Sequence, residues 1–253
     1  VCRGLYTENP MNTYEIANAI GKIPLAYQPG TSFSYGCSAD ILGAVIEVVS
    51  GMSFSDFLEK EIFTPLKMDD TGFWIPNEHK RERLAVAYAN KPDELEPYRG
   101  NHLGILNAMD RKPAFESGGA GLVSTIDDYA KFAQMLLNEG EFEGKRILKP
   151  ASLAFMTKRQ LMKSQQEAFE KSWNYLAGYS YGCLMRVMKN PDQAMYLTEL
   201  GEYGWDGWLG PYFMNSPKNN LTILIMMQKK DAGTTSVTRK LRNLILSDTD
   251  IHR

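Results

Sequence analysis

Two short runs of this chain hold residue types that could do chemistry. Tyr35-Gly36-Cys37 stands just ahead of a helix-forming run, and Trp205-Asp206-Gly207-Trp208 stands among strand formers near the other end. A phenol ionises near pH 10 and becomes a usable base only where a neighbouring cation favours the phenolate. Taken alone, Tyr35 reads as a packed aromatic before a helix. Gly207 would let a ligand approach a strand backbone closely. Cys37 is a nucleophile by type, but no histidine lies near it in sequence, and a small buried residue is its plainer role. The turn Gly118-Gly119-Ala120-Gly121 lacks the lysine and the preceding strand of a phosphate loop and reads as a flexible turn. The one Gly-x-Ser-x-Gly, at 178–182, runs into strand formers rather than a helix, which argues against the nucleophile elbow of an α/β-hydrolase. Three cysteines (Cys2, Cys37, Cys183) and three histidines (His79, His102, His252) show neither a disulfide framework nor metal-ligand spacing. No metal and no cofactor is expected.

Elements must position these residues. Ser38 is a candidate N-cap, Ile41, Leu42, Val45, Val48 and Val49 follow at helical spacing, and Gly51 stands where a glycine ends a helix. Ser53 and Asp56 open another helix in the manner of a capping box, and Pro65 is expected to stop it. Thr125 and Asp128 repeat that start ahead of an apolar face made by Ile126, Tyr129, Ala130, Ala133, Leu136 and Leu137, and Gly140 ends it. Pro150 suits a first helical turn. Val237, Leu241, Leu244 and Ile245 are predicted to be the buried stripe of a final helix. Strand formers gather at 181–188, 210–215 and 221–228, with a Pro- and Asn-bearing turn at 216–220. The run 223–227, ILIMM, is continuously apolar, as in a strand covered on both faces. Helices first, then antiparallel strands and a closing helix, predict an α+β fold. The stretch 76–115, with Pro92, Pro97 and Pro113, is polar and weakly periodic.

The 253 residues are 43% hydrophobic and 23% charged, ordinary for a globular domain with a sizeable core. A formal net charge of −2 gives no electrostatic case for nucleic acid or an anionic membrane. No apolar run is long enough to span a bilayer, and the first residues hold no apolar signal region.

Residues 29–51, PGTSFSYGCSADILGAVIEVVSG, resemble the second motif of the penicillin-recognising serine hydrolases: class C β-lactamases, D,D-peptidases and related esterases. In that family the motif is Tyr-x-Asn before a helix. Here Tyr35 is kept and Cys37 takes the asparagine position. Residues 52–73 resemble the family's next block, and 116–140 the later glycine turn and helix. Residues 203–228 resemble the third motif, a strand carrying Lys-Thr-Gly, His-x-Gly or Trp-Gly-Gly, with Trp205-Asp206-Gly207 at that position. The blocks stand in family order and cover most of the chain. The resemblance implies a β-lactamase/transpeptidase-like domain over 1–253, with a mainly helical lobe at 1–177 and an antiparallel sheet and closing helix at 178–253. It also implies that the family's N-terminal strands and nucleophile helix are missing from this chain.

The implied activity is a serine hydrolase acting through an acyl-enzyme on esters, β-lactams or peptides. Tyr35 would handle protons for the serine. The backbone N–H of Trp208 would be one oxyanion donor, with Trp205, Asp206 and Gly207 forming the cleft wall. The Tyr35 hydroxyl is expected to face that strand across a groove. The family nucleophile sits in Ser-x-x-Lys, and none occurs here. Thr64-Pro65-Leu66-Lys67 has the spacing, but its proline would disrupt the aligning turn. The chain alone is therefore expected to be inactive and to expose a sheet edge and part of its core. Its partners would be a small-molecule substrate and the missing N-terminal segment of the same protein. Cys37 is a weak donor and acceptor in place of an amide, and Trp205 replaces a lysine that would anchor a substrate carboxylate. Both changes favour ester hydrolysis. Asp206 would oppose the developing negative charge unless it points away. The alternative is a non-catalytic ligand-binding or sensor module on the same scaffold. The family leans toward the cell envelope or exterior and leaves the cytoplasm open.

Overall fold

The computed structural model describes residues 11–91, 94–101, 108–233 and 235–248. Cys2, Pro92, His102 and His252 lie outside the described residues. Two compact units form. One holds the described residues up to Ala26 together with Tyr35–Lys131, and the other holds Tyr27–Ser34 together with those from Phe132 onward.

The first unit is mainly helical. Helix α1 (Thr13–Gly21) opens with a full capping box between Asn12 and Glu15. Helix α2 (Ser38–Ser50) starts one residue earlier than expected. Cys37, not Ser38, is its N-cap, and Cys37 makes no side-chain cap bond. Gly51 ends α2 in the left-handed region, at φ 70°. Ser53 caps α3 (Phe54–Leu58), accepting from the Asp56 N–H at 3.1 Å. Pro65 does not stop this helix. The backbone widens into a π-helical stretch, Glu59–Phe63, and continues into α4 (Thr64–Leu66), ending at left-handed Lys67. A proline ring clashes with the carbonyl one turn back, and a wider turn moves that carbonyl aside. In 76–115 only a short α5 (Glu78–Arg81) and a hairpin of β1 (Tyr88–Asn90) with β2 (Leu95–Pro97) interrupt irregular chain among the described residues. Helix α6 (Ile126–Leu137) begins in this unit, where the Thr125 hydroxyl accepts from the Asp128 N–H at 3.2 Å, and its residues from Phe132 belong to the second.

The second unit carries the sheet. A small hairpin of β3 (Glu141–Phe142) and β4 (Lys145–Arg146) precedes α7 (Pro150–Met156) and α8 (Lys163–Ser172). Then come β5 (Tyr179–Tyr181), β6 (Arg186–Met188), β7 (Tyr203–Asp206), β8 (Tyr212–Ser216) and β9 (Leu221–Ile225). They pair in chain order as one antiparallel sheet. The strand predicted at 181–188 is two strands of a hairpin. The Gly182 N–H donates to Met185 O at 2.8 Å, and Leu184 turns the chain at φ 58°. A Cβ on Gly182 would lie 2.5 Å from Met156 O, so the turn packs directly on the end of α7. Strand β9 is an outer strand in which only Ile223 is buried, so its apolar run does not mark cover on both faces. Phe169, Leu176, Tyr179 and Met188 form one buried cluster, and Tyr212, Met214, Ile223 and Leu246 another.

The closing helix α9 (Ser236–Asp248) packs on the sheet, but with a different face from the one predicted. Thr238, Arg242 and Leu246, four residues apart, are buried. Val237, Leu241, Leu244 and Ile245 are exposed, Leu244 at 66%. The buried face is chosen by Arg242, which donates to Glu202 and to the Tyr212 hydroxyl. The apolar stripe of α2 is likewise exposed, with Val49 at 82%.

Candidate functional site

Tyr35 and Cys37 belong to the first unit, and Trp205, Asp206, Gly207 and Trp208 to the second. Tyr35 precedes α2 with its side chain half exposed, at 52%. The helix start behind it is held on several sides. Asp40, in the first turn of α2, accepts from the Ser117 hydroxyl at 2.6 Å and from the Gly119 N–H at 3.1 Å, both on Oδ1. A Cβ on Gly118 would lie 2.3 Å from Ala39 O, so the glycine turn and the helix start are in direct backbone contact. One residue before Ser117, buried Glu116 accepts from the Ser55 N–H at 2.6 Å and the Ser55 hydroxyl at 2.7 Å, at the start of α3. The Glu116 N–H donates to the Thr13 hydroxyl at the start of α1. Four consecutive residues therefore pin the first turns of three helices. The clamp is 116–119, so the turn 118–121 is held at its start rather than flexible there. Cys37 is a half-buried cysteine at the N-cap.

In the second unit β7 ends at Asp206, so Gly207 and Trp208 lie in the turn to β8 rather than on the strand. The Gly207 N–H donates to Pro211 O at 2.8 Å, and the Gly210 N–H to Gly207 O at 2.9 Å. A Cβ on Gly207 would lie 2.7 Å from the Pro211 ring, which is the steric reason for glycine there. The strap 229–233 closes over this turn. Lys229 N–H donates to Leu209 O, Ala232 N–H to Trp208 O, and the Trp208 indole N–H to Asp231 at 2.6 Å. Trp205 packs on Trp173 and Tyr181, with centroids 5.1 and 5.2 Å away, and Tyr175 stacks on Trp173. Asp206 accepts from Arg186 Nη1 at 2.5 Å, and the two side chains are 10% and 2% exposed. Its charge is thus met by a cation beside it. Burial raises the Tyr175 phenol above its ordinary value, and the negative Asp206 raises it further.

Local spacing did not single out Asp40, Ser117, Arg186, Glu202 or Arg242. Arg242 and Glu202 form a fully buried bidentate pair, and the Tyr179 hydroxyl also donates to Glu202. Burial pushes the Tyr179 phenol well above its ordinary value, and Glu202 adds to this. One signal was present: an arginine inside the apolar run 184–188, LMRVM, must find a buried partner. Among the described residues no His/Cys/Asp/Glu group could hold a metal ion. Among them, too, no single helix is long and apolar enough to cross a membrane. One bent pair, Ser38–Ser50 with Phe54–Leu66, passes on length and composition alone.

A helical unit whose tyrosine precedes a clamped helix, and a five-stranded antiparallel sheet with a closing helix, define the β-lactamase/transpeptidase-like fold. Residues 3–246 match the Beta-lactamase family, and the chain belongs to that family. It is 29% identical over 213 residues to an uncharacterized protein of Mycobacterium tuberculosis, covering 83% of this chain and 52% of that protein. It is 36% identical over 140 residues to lovastatin esterase of Penicillium rubens, covering 54% of this chain and 33% of the esterase. Among solved structures, EstCE1, a hydrolase with promiscuous acyltransferase activity, superposes with a TM-score of 0.81 at 22% identity, over 95% of this chain and 63% of that one. The chain spans about half the length, or less, of these curated relatives.

Proposed function

We propose that the natural protein is a serine hydrolase that works through an acyl-enzyme and prefers esters. The observation that carries this reading is Tyr35, half exposed in a chain of this family while the helix behind it is clamped. A serine and lysine in a Ser-x-x-Lys segment outside the 253 residues supply the nucleophile and a cation. The serine oxygen bonds to the acyl carbon as its proton passes to the Tyr35 phenolate, which the lysine ammonium favours. The phenol then returns that proton to the departing alkoxide. The Trp208 N–H serves the oxyanion together with the serine's own N–H. Esters are preferred because Cys37 offers only a thiol and Trp205 no charge, so an acyl-amide loses an amide hydrogen bond of about 0.5–1.5 kcal/mol and a carboxylate a charge-assisted one of about 1.5–3 kcal/mol. The exposed apolar stripes of α2 and α9 are where the rest of such a protein would pack.

The test uses the natural full-length protein on a nitrophenyl ester and a chromogenic cephalosporin. The ester is expected to have the higher kcat/KM, and Tyr35→Phe to lower it by about 10²-fold or more. Higher specificity for the cephalosporin, or full ester activity in Tyr35→Phe, overturns the reading. Specific ligand binding with no turnover would favour the binding-module alternative.

A further inference from the structure

We propose that Asp206, through its ion pair with Arg186, sets the charge selectivity of the turn at 205–208. It admits uncharged acyl groups and refuses a substrate carboxylate. What binds there rests on the hydrolase reading above, whereas how it is selected rests on the geometry of the second unit alone.

Arg186 is an enclosed cation. Its Nη1 donates to Asp206 Oδ1 at 2.5 Å and its Nη2 to Phe213 O at 3.3 Å. The rings of Tyr212 and Tyr179 lie 4.8 and 5.7 Å from its guanidinium carbon. A buried guanidinium needs a counter-charge, and losing that partner is strongly unfavourable. Asp206 is the more exposed member of the pair and lies one residue before Gly207. Its second oxygen faces the strap, where a Cβ on Gly233 would come within 3.0 Å of Oδ2. The strap thus leaves room for a carboxylate at this point, and the chain fills it with its own.

An incoming carboxylate at this turn meets Asp206 already on the cation, and Asp231 beyond it on the Trp208 indole. Lys230, over the Trp208 ring at 5.6 Å, is itself beside Asp231 at 3.9 Å. The preceding residue, Trp205, carries no charge and packs with the rings of Trp173 and Tyr181. The turn therefore suits a neutral, apolar or aromatic acyl substituent. Removing the Asp206 charge should convert the same place into a small-carboxylate site.

The experiment compares wild type, Asp206→Gly, Asp206→Ala and the double variant Asp206→Gly/Arg186→Gln in the natural full-length protein. Nitrophenyl butyrate and the nitrophenyl monoester of succinate give the neutral and anionic kcat/KM values. Wild type is expected to favour the neutral ester. Asp206→Gly should move the ratio at least about tenfold toward the anionic ester, chiefly through KM, as one charge-assisted bond gained would do. The double variant should show no such shift. Formate should raise the thermal midpoint of Asp206→Gly but not of wild type or the double variant, at matched ionic strength. Asp206→Ala, which also vacates the place of the carboxylate, takes the place of Asp206→Gly in both measurements if the glycine variant does not fold. If wild type hydrolyses neither ester, the hydrolase reading fails, and the formate measurement still decides the role of Asp206. An unchanged ester ratio, or a formate response that persists without Arg186, overturns the proposal.

Discussion

Asp70 holds two cations at once, Lys80 Nζ on Oδ1 at 2.8 Å and Arg83 Nη2 on Oδ2 at 2.6 Å. Its own N–H donates to buried Asp128 at 2.7 Å, tying the chain after α4 to α6. The hydrogen bond from Lys80, then that from Arg83, lowers its pKa below the ordinary carboxylate value. A carboxyl whose folded pKa is depressed stabilises the fold above its unfolded value, near pH 4, and loses that contribution as pH falls through the folded value. The stability difference between wild type and Asp70→Asn should therefore be largest near neutral pH and shrink below about pH 4. It should also be reduced by added salt, because the pair is partly exposed. Denaturant unfolding of both proteins at several pH values checks this, and a difference that stays constant from pH 7 to pH 3 would rule the mechanism out. No spacing rule joins Asp70 to Arg83, thirteen residues on, or Glu202 to Arg242, forty residues on. Such pairs depend on which strands and helices meet, so single residues of this kind were invisible in the sequence, whereas Tyr35 and the 205–208 run stood out by motif.

Elements show the same division. Two caps were legible because they are local, Ser53 with Asp56 and Thr125 with Asp128, which bond as their three-residue spacing requires, whereas α2 starts from Cys37 and not Ser38. So was the turn after β8, where Pro217–Asn219 coil tightly and Asn220 takes the left-handed conformation. The exits were misread where the backbone had a second choice. At Pro65 the helix widened, and at Gly182 a strand folded back. The face that α9 buries could not be read from apolar residues, because Arg242 and its partners hold it. The clamp of the first unit makes an element-scale prediction. Ser117→Ala removes a donor to Asp40 and should cost about 1–1.5 kcal/mol. Gly118→Ala forces a methyl against the Ala39 carbonyl, a backbone atom that cannot swing away, and should cost about 1–3 kcal/mol or more. Hydrogen exchange should show the first turn of α2 losing protection first. Equal protection of α2 in wild type and Gly118→Ala would show that the clamp does not hold it.

At the scale of the molecule, the chain leaves too much apolar surface uncovered to be indifferent to its neighbours. Ile41, Leu42, Val45, Val48 and Val49 run along one helix, and Val237, Leu241, Leu244 and Ile245 along another, all exposed. Single exposed leucines are ordinary, but a contiguous aliphatic stripe on a helix is an interaction surface or an aggregation liability. Covering one such side chain fully is worth about 1.5–3 kcal/mol, so a few together can drive association at ordinary laboratory concentrations. With a formal net charge of only −2, charge repulsion offers little resistance. The 253-residue chain expressed by itself should therefore bind a hydrophobic dye and sediment as species larger than a monomer as its concentration rises. Val49→Glu and Leu244→Glu should each move the distribution back toward monomer with little change in thermal midpoint, because both side chains lie outside the core. In the natural full-length protein the same two substitutions should instead destabilise, since there the stripes would be covered. Sedimentation velocity and thermal unfolding on both forms separate the cases. A chain that stays monomeric and dark to the dye, or substitutions that are neutral in both forms, would show that these stripes face water in the working protein.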